Sequence, residues 1–158
     1  MANEEKKDFN KMLNNSKDMP KIVNMTEPEA IKKWGGSSMV IAPPIQYDEV
    51  MRKIPEGKIV TTNEIRKYIA KKNKVEITCP LTAGIFINIV AWASHQREKD
   101  KTPYWRVLKS NGELNPKYPG GVEGHKKLLK EEGFNFVTKG KKNIKYYVKD
   151  YEKSLYEL

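Results

Sequence analysis

The sequence is poor in the residues that bind metals and form disulfides. Among its 158 residues there is one cysteine, Cys79, and there are two histidines, His95 and His125. A single cysteine cannot form an intramolecular disulfide, and this usage is typical of the cytoplasm. The histidines lie far apart in sequence, and Cys79 adds no spacing typical of a metal site. We therefore expect a cytoplasmic protein with no metal and no cofactor.

Long apolar runs are also missing. No stretch approaches the ~20 apolar residues of a membrane span, and the acidic residues Glu4 and Glu5 are unlike the start of a signal peptide. The carboxylates show no pairing that indicates acid–base catalysts. A charged content of 32% indicates a polar, soluble protein, and the length suits one domain with a short appendage. We expect no membrane partner.

The formal net charge of +10 is unevenly distributed along the chain, and the residues beyond the first third carry fewer negative than positive charges. Residues 1–50 carry 7 Lys/Arg and 8 Asp/Glu, a net charge of −1, whereas residues 51–158 carry 23 and 12, a net charge of +11. Lysine and arginine placed on phosphates release counterions, so this distribution favours a polyanionic partner. A basic surface that only keeps the protein soluble is the alternative.

Residues 1–44 are predicted to form an N-terminal strap that packs on the rest of the chain. Residues Asn3 to Leu13 have apolar side chains on one side of a short helix, which is too short to be stable alone. The apolar run Met39–Ile41 predicts a strand or an extended segment. Pro43 and Pro44 mark the entrance to the next element.

Regular helical spacing begins at Ile45 and predicts a first helix of the main domain. Thr61 and Glu64 have the spacing of a capping box and predict the start of a second helix. A third helix is predicted over about residues 83–98. Helices in this order, with strands behind them, indicate a winged helix–turn–helix, although the loop over residues 73–81 is longer than the usual turn.

The C-terminal part predicts a helix over about residues 122–132 and then a β-hairpin. Phe134–Val137 and Ile144–Val148 have strand composition, and Thr138–Asn143 supplies the turn. The predicted fold is therefore mixed α/β. We divide the chain into an N-terminal strap, a winged-helix domain and a C-terminal hairpin strand with a tail, over residues 1–44, 45–136 and 137–158.

Five motifs in order resemble the DNA-binding domain of the alkylguanine–DNA alkyltransferases. They are Ile54–Thr61, Asn88–Ala93, Pro103–Val107 with the following Ser110-Asn111-Gly112, Tyr118–Gly121 and Leu128–Gly133. The family has Pro-Cys-His-Arg-Val in the third motif, and then a Ser/Asn-Gly turn. The resemblance covers about Ile45–Phe136. It implies a winged helix–turn–helix fold and duplex DNA as the partner, and we expect a monomer.

The same motifs depart from the family where its reaction takes place. In the family the Cys takes an alkyl group from a damaged guanine, but Tyr104 and Trp105 stand here in place of the Cys and its neighbouring His. Thr62 replaces a Tyr that helps to rotate the nucleotide out of the duplex, and Asn88 replaces the Arg that fills the gap. A phenol with a pKa of about 10 is a poor substitute for a thiolate. The chain is similar to the non-catalytic alkyltransferase-like branch, which has Trp in place of the Cys and flags damaged bases for other repair proteins.

Two sets of candidate residues follow from the resemblance and from the chemistry of the side chains. For DNA contact we expect the third helix, its flanks and the turn that follows: Thr62, Thr82, Ala83, Gly84, Asn88, Arg97, Lys109, Ser110 and Asn111. Helix-start amides and small residues suit the close approach of a phosphate backbone, and tight helix packing of Ala83 and Gly84 is the alternative. For a base pocket we expect Tyr104, Trp105, Arg106 and Tyr118.

Tyr104 has two interpretations. It stacks on or hydrogen-bonds an extruded base, or it fills the vacated pocket and completes the core. For Trp105 and Arg106 a structural role is favoured. The basic segment Lys139–Lys142 contacts phosphates or is a solubilising turn.

Three functions remain open at this point. The first is a non-enzymatic duplex-DNA-binding protein that recognises alkylated or extruded guanine. The second is a regulatory or protein-interaction module that kept the fold without damage recognition. The third is an active alkyltransferase that uses Cys79, the single thiol of the sequence, which precedes Pro80 at a predicted helix start.

Overall fold

The computed structural model describes residues 6–158, so the first three residues of the helix predicted over Asn3 to Leu13 lie outside it. Helices and strands alternate along the described chain as far as the last two strands, which follow each other. The helices are α1 (Phe9–Leu13), α2 (Pro28–Trp34), α3 (Pro44–Met51), α4 (Thr62–Lys72), α5 (Pro80–Gln96) and α6 (Gly121–Glu131). The strands are β1 (Lys21–Asn24), β2 (Ser38–Ile41), β3 (Val60–Thr61), β4 (Ile77–Thr78), β5 (Val107–Leu108), β6 (Phe136–Lys139) and β7 (Lys145–Val148). The predicted mixed α/β class is confirmed.

The N-terminal part of the chain contributes two strands to a three-stranded sheet of order β1-β2-β4. β1 and β2 are antiparallel, and β2 and β4 are parallel with Met39 opposite Ile77. Of the two alternatives predicted for Met39–Ile41, a strand or an extended segment, the structure has the strand. Neither β1 nor α2 was predicted. All four residues of β1 are exposed, so the strand lacks the alternation of buried and exposed positions that marks a half-buried strand.

Helix α1 joins the N-terminal segment to the long helix α5. Phe9 and Leu13 are buried, and the Phe9 and Trp92 rings stack with their centroids 5.7 Å apart. The Asn10 side-chain amide donates to the Ala93 carbonyl at 3.0 Å. Five residues are too few for a stable isolated helix, so α1 depends on this contact with α5.

Helices α3, α4 and α5 enclose the larger core, and all three were predicted. Each helix contributes fully buried side chains to this core, such as Tyr47 from α3, Ile65 from α4 and Val90 from α5. Thr61 and Glu64 form the predicted capping box, in which the Thr61 amide donates to the Glu64 carboxylate at 3.2 Å. α5 begins at Pro80, before the predicted residue 83, because proline at the first helical position lacks only an N–H that would have no helical partner.

A smaller core lies under α6 and the C-terminal hairpin. Leu108, Leu114, Leu129 and Val148 are buried in it. β6 and β7 are antiparallel with Phe136 opposite Val148, so the predicted hairpin is confirmed with β6 shifted by two residues toward the C-terminus. Within residues 6–158 no helix has the length and apolar character needed to cross a membrane.

Candidate nucleic-acid interface

An open groove of about 420 Å³ lies between the N-terminal half of α5, the start of α4 and the loop that follows β5. It is lined by Thr62, Arg66, Pro80, Leu81, Ala83, Gly84, Ile85, Asn88, Lys109, Ser110, Asn115, Pro116 and Lys117. We call it the α5 groove. Six of the nine residues predicted for DNA contact line it: Thr62, Ala83, Gly84, Asn88, Lys109 and Ser110. The groove thus gathers residues that are far apart in sequence.

The charge of the α5 groove is positive. Arg66, Lys109 and Lys117 line it, and no aspartate or glutamate of the described chain does. The Arg66 guanidinium donates to the Asn63 side-chain oxygen, and the Lys109 ammonium lies 3.6 Å from the Glu113 carboxylate. Lys117 is exposed and forms no ion pair with any residue from 6 to 158. Three cations without a carboxylate in the lining attract an anionic ligand.

The first turns of α5 line the groove with both buried and exposed residues. Ala83 is 2% exposed and belongs to the core, whereas a Cβ added to Gly84 would meet no atom within 4 Å. Tight packing therefore explains Ala83 but not Gly84. Leu81 and Ile85 are 67% and 58% exposed beside them. Thr82 does not line the groove, and its hydroxyl lies 3.4 Å from the Cys79 carbonyl, to which it donates.

Asn88 lies where the α5 groove meets a second cleft. This cleft has a volume of about 350 Å³ and is shared with α1 through Phe9 and Met12. The Asn88 side-chain oxygen is buried and has no hydrogen-bond partner within the described chain. A buried acceptor without a donor costs free energy, so Asn88 holds an unused acceptor at the boundary of the two cavities.

The turn after β5 borders the α5 groove on its other side. It is closed by a hydrogen bond of 2.9 Å from the Gly112 amide to the Lys109 carbonyl. Gly112 has a φ of +85°, and a Cβ there would lie 2.4 Å from the Tyr151 ring, so this position requires glycine. Ser110 faces the groove, while Asn111 is exposed but does not line it. The predicted turn is present.

The four residues predicted for a base pocket lie away from the groove lining. Tyr104 is 4% exposed and Tyr118 is 1% exposed, and their rings meet edge to face at 5.2 Å. The Tyr104 ring also meets Trp105 at 5.3 Å. The Tyr118 hydroxyl donates to the Val107 carbonyl at 3.1 Å. Burial raises the pKa of Tyr104 to about 12, so the phenol stays neutral at neutral pH.

Trp105 and Arg106 bind one carboxylate, that of Glu132 at the end of α6. The Trp105 indole N–H donates to it at 2.5 Å, and the Arg106 guanidinium lies 2.9 Å from it. The Gly57 amide donates to the same carboxylate at 2.9 Å. Burial alone would raise the pKa of Glu132, but the hydrogen bonds from Arg106, Gly57 and Trp105 outweigh it and lower the pKa. We call these four residues the Glu132 cluster.

Arg97 and Cys79 lie apart from the groove. The Arg97 guanidinium donates to the side-chain oxygens of Asn10 and Thr102 at 2.7 and 2.9 Å, and it is not among the groove-lining residues. Cys79 precedes α5 as its N-cap and is 8% exposed. No group of three metal-ligating residues occurs within residues 6–158.

Several groove residues have no direct indication in the sequence. Arg66 lies one helical turn after Thr62 on α4. Residues four apart lie on the same face of a helix, so the predicted contact of Thr62 with DNA could have indicated Arg66 as well. Lys117 has no comparable signal. Its position depends on the loop between β5 and α6, where the Trp92 indole N–H donates to the Lys117 carbonyl at 2.9 Å. That long-range contact has no counterpart in a local pattern.

Comparison with protein families identifies the class of this domain. The family described as "6-O-methylguanine DNA methyltransferase, DNA binding domain" matches residues 46–134, which is more than half of the chain. The chain belongs to this family, and the predicted resemblance is confirmed. The match ends before β6 and begins after the strands β1 and β2.

Two solved structures have a similar fold. One is S. pombe Atl1 in complex with damaged DNA containing O6-carboxymethylguanine, with 20% identity, 73% of this chain and 94% of that chain covered, and a TM-score of 0.52. The other is S. pombe ATL in complex with DNA, with the same identity and coverage and a TM-score of 0.54. No curated protein matches the sequence. At this level of identity the likeness concerns the fold.

Proposed function

We propose that this protein binds duplex DNA through the α5 groove and is not an enzyme. The observation that carries the proposal is the lining of the groove, which has three cations and no carboxylate from the described residues. Phosphate contacts by lysine and arginine supply most of the affinity of a protein for DNA. The family is defined by a DNA-binding domain, and the similar S. pombe proteins were solved with DNA, which supports the same conclusion.

In the proposed complex, α4 and α5 form the helix–turn–helix of a winged-helix domain over residues 45–136. The Lys109–Gly112 turn, Arg66 and Lys117 contact phosphates on either side of α5, which presents Gly84 and Asn88 to the DNA. Gly84 suits this role because its Cα faces open space and a backbone without a side chain allows close approach. The unused acceptor on Asn88 is buried, so in the proposed complex its side chain turns toward the DNA to reach a donor.

The absence of alkyl transfer is part of the proposal. Tyr104 stands at the family's nucleophile position, and burial raises the pKa of its phenol to about 12, which leaves almost no phenolate at neutral pH. The other candidate nucleophile, Cys79, is 8% exposed. Buried cysteines are usually inert. Both observations support DNA binding without covalent chemistry.

A second candidate function is a DNA-binding or interaction module that does not recognise damage. The packing of Tyr104 against Tyr118 and Trp105 favours it, because a ring held on two sides in the core has little surface on which a base can stack. The alternative of damage recognition requires the Tyr104 ring to move, or the base to bind elsewhere along the α5 groove.

The deciding experiment compares the affinity of the purified protein for a plain duplex and for the same duplex with one alkylguanine. Salt-sensitive binding to both is expected under the proposal, and tighter binding to the alkylguanine duplex assigns damage recognition. Equal affinity assigns the second candidate. Absence of salt-sensitive duplex binding would contradict the proposal altogether.

Two measurements complete this comparison. Tyr104→Phe removes only the hydroxyl, so a loss of alkylguanine preference in that variant would show that the hydroxyl contacts the base. Mass spectrometry after incubation with labelled alkylguanine DNA is expected to show no label on the Cys79 peptide. Stoichiometric labelling would contradict the non-enzymatic assignment.

A further inference from the structure

The C-terminal hairpin carries a concentration of positive charge that the fold does not compensate. Residues 133–149 contain five lysines and no aspartate or glutamate: Lys139, Lys141, Lys142, Lys145 and Lys149. No ion pair involves any of them within the described chain. The hairpin lies beyond the family match, which ends at residue 134. Its charge therefore needs an explanation separate from the common domain.

The register of the hairpin places two of these lysines directly opposite each other. Lys139 on β6 pairs with Lys145 on β7, and both side chains are exposed. Like charges at opposed positions of an antiparallel pair destabilise it. An arrangement that is unfavourable in the free protein becomes favourable when an anion lies over it.

The two faces of the hairpin are different. Phe136 and Tyr146 pack toward the smaller core, whereas the alternating positions Val137, Lys139 and Lys145 are exposed. On this outer face the Lys139 ammonium lies 4.7 Å from the centroid of the Tyr147 ring. Because the core takes up only one face, the outer face leaves Lys139 and Lys145 exposed, with Lys139 beside an aromatic ring.

This outer face is connected to the α5 groove by backbone hydrogen bonds. The Val148 amide donates to the Gly112 carbonyl at 3.0 Å, and the Leu114 amide donates to the Tyr146 carbonyl at 2.9 Å. Gly112 closes the turn whose residues Lys109 and Ser110 line the groove. The hairpin is therefore fixed to the turn that borders the groove.

We propose that the outer face of the β6–β7 hairpin, centred on Lys139 and Lys145, is a second contact for the phosphate backbone of the duplex that occupies the α5 groove. This inference rests on the proposed function. It extends the contact with DNA beyond the family domain. The occupant is the duplex of the proposed function, and the contact is with phosphates because lysine is a point charge suited to them.

The test measures the salt dependence of duplex binding for the wild type and for Lys139→Ala/Lys145→Ala. Loss of two phosphate contacts is expected to reduce the slope of log affinity against log salt by about 1.8, at about 0.9 for each contact. The matched control is Lys32→Ala/Lys71→Ala, which removes the same charge from exposed positions on α2 and α4. The control is expected to change the slope much less.

A charge-conserving variant and a melting measurement exclude a folding artefact. Lys139→Arg/Lys145→Arg is expected to keep the wild-type slope. The alanine double variant is expected to melt at a higher temperature than the wild type in low salt, since it removes the repulsion between the paired lysines.

Each outcome decides between the two proposals. Equal slopes for the hairpin variant and the control would overturn the hairpin contact while leaving DNA binding in place. A slope change seen only with single-stranded DNA would overturn the assignment to a duplex. If the wild type does not bind duplex DNA, the proposed function and the hairpin contact both fail.

Discussion

The α5 groove and the Glu132 cluster lie on the same domain, but their cations have different partners. In the Glu132 cluster, the Arg106 guanidinium is 15% exposed and binds a carboxylate that is 7% exposed. In the groove, Lys117 is exposed without an ion pair among the described residues, and Arg66 contacts an amide oxygen. The third groove cation, Lys109, has the Glu113 carboxylate 3.6 Å away, so of the groove cations only Arg66 and Lys117 lack a counter-charge from the described residues.

This difference separates cations that stabilise the fold from cations that are left for a ligand. Arg106 also donates to the Ile54 carbonyl at 2.7 Å, so it joins three parts of the chain around Glu132. Arg97 is held in a similar way by Asn10 and Thr102. A match to a family motif is therefore not enough to assign a basic residue to a DNA contact. The structure around each guanidinium decides its role.

Removal of the shared carboxylate is expected to have the largest effect. Glu132→Ala leaves the largely buried side chain of Arg106 without its partner, and breaking such a pair costs about 3 kcal/mol of unfolding free energy. Urea unfolding measures this loss. Glu131→Ala is the matched control, since Glu131 is exposed and forms no ion pair in the described chain. Equal effects of the two substitutions would refute the structural role of the cluster.

The pH dependence of stability tests the same packed region through His125. This fully buried imidazole accepts from the Asn115 amide at 3.0 Å and bonds the Trp105 carbonyl at 2.8 Å. Burial lowers its pKa from 6.5 to about 4, against the opposing effect of the Trp105 carbonyl. The unfolded chain therefore binds the proton first as the pH falls.

Stability from neutral His125 is thus present above pH 6.5 and is lost as the pH falls toward about 4. The shift corresponds to about 3 kcal/mol across this window. We expect His125→Gln to be less stable at neutral pH and to lose less further stability on acidification, as measured by unfolding at several pH values. The same pH dependence in both proteins would assign the acid sensitivity to other groups.

In the groove, removal of cations is expected to change binding rather than stability. Arg66→Ala/Lys117→Ala should weaken duplex binding roughly tenfold and reduce the salt slope by about 1.8. The unfolding free energy should change by less than about 0.5 kcal/mol per site, as for other surface positions. Fluorescence anisotropy and urea unfolding give the two values, with Lys32→Ala/Lys71→Ala as the control. A large loss of stability would show that these cations stabilise the fold, as Arg106 does.

The smallest expected effect concerns Asn88. Asn88→Ala removes a buried acceptor without a partner and introduces a better helix former, so the unfolding free energy should rise by about 1 kcal/mol. Duplex affinity should fall at the same time. A variant that gains stability and keeps full affinity would show that this acceptor has no role in binding.

The sequence predicted most helices of the fold because their signals are local. Thr61 and Glu64 define a cap within four residues, and the apolar spacing of α3 to α6 follows one helical face each. The strands β1 and β4 lack such signals. β3 has two residues and pairs with β5, which lies far along the chain, so its formation depends on tertiary contacts rather than on composition.

Part of the groove was also predicted from local helix signals. Thr62, Ala83, Gly84 and Asn88 lie on two predicted helices, and motif order indicated their side of the domain. Arg97 was predicted from its place near the end of α5, but its hydrogen bonds to Asn10 and Thr102 involve chain segments distant in sequence. The assignment of each predicted residue to DNA remains a prediction.

The short strand β3 begins beside Ile59, which receives a partner from the far end of the described chain. The Ile59 amide donates to the Ser154 carbonyl at 3.0 Å, and the Tyr156 amide donates back to the Ile59 carbonyl at 2.8 Å. During synthesis the wall of the smaller core can therefore close only after residue 156 has left the ribosome. Contacts between such distant residues slow folding.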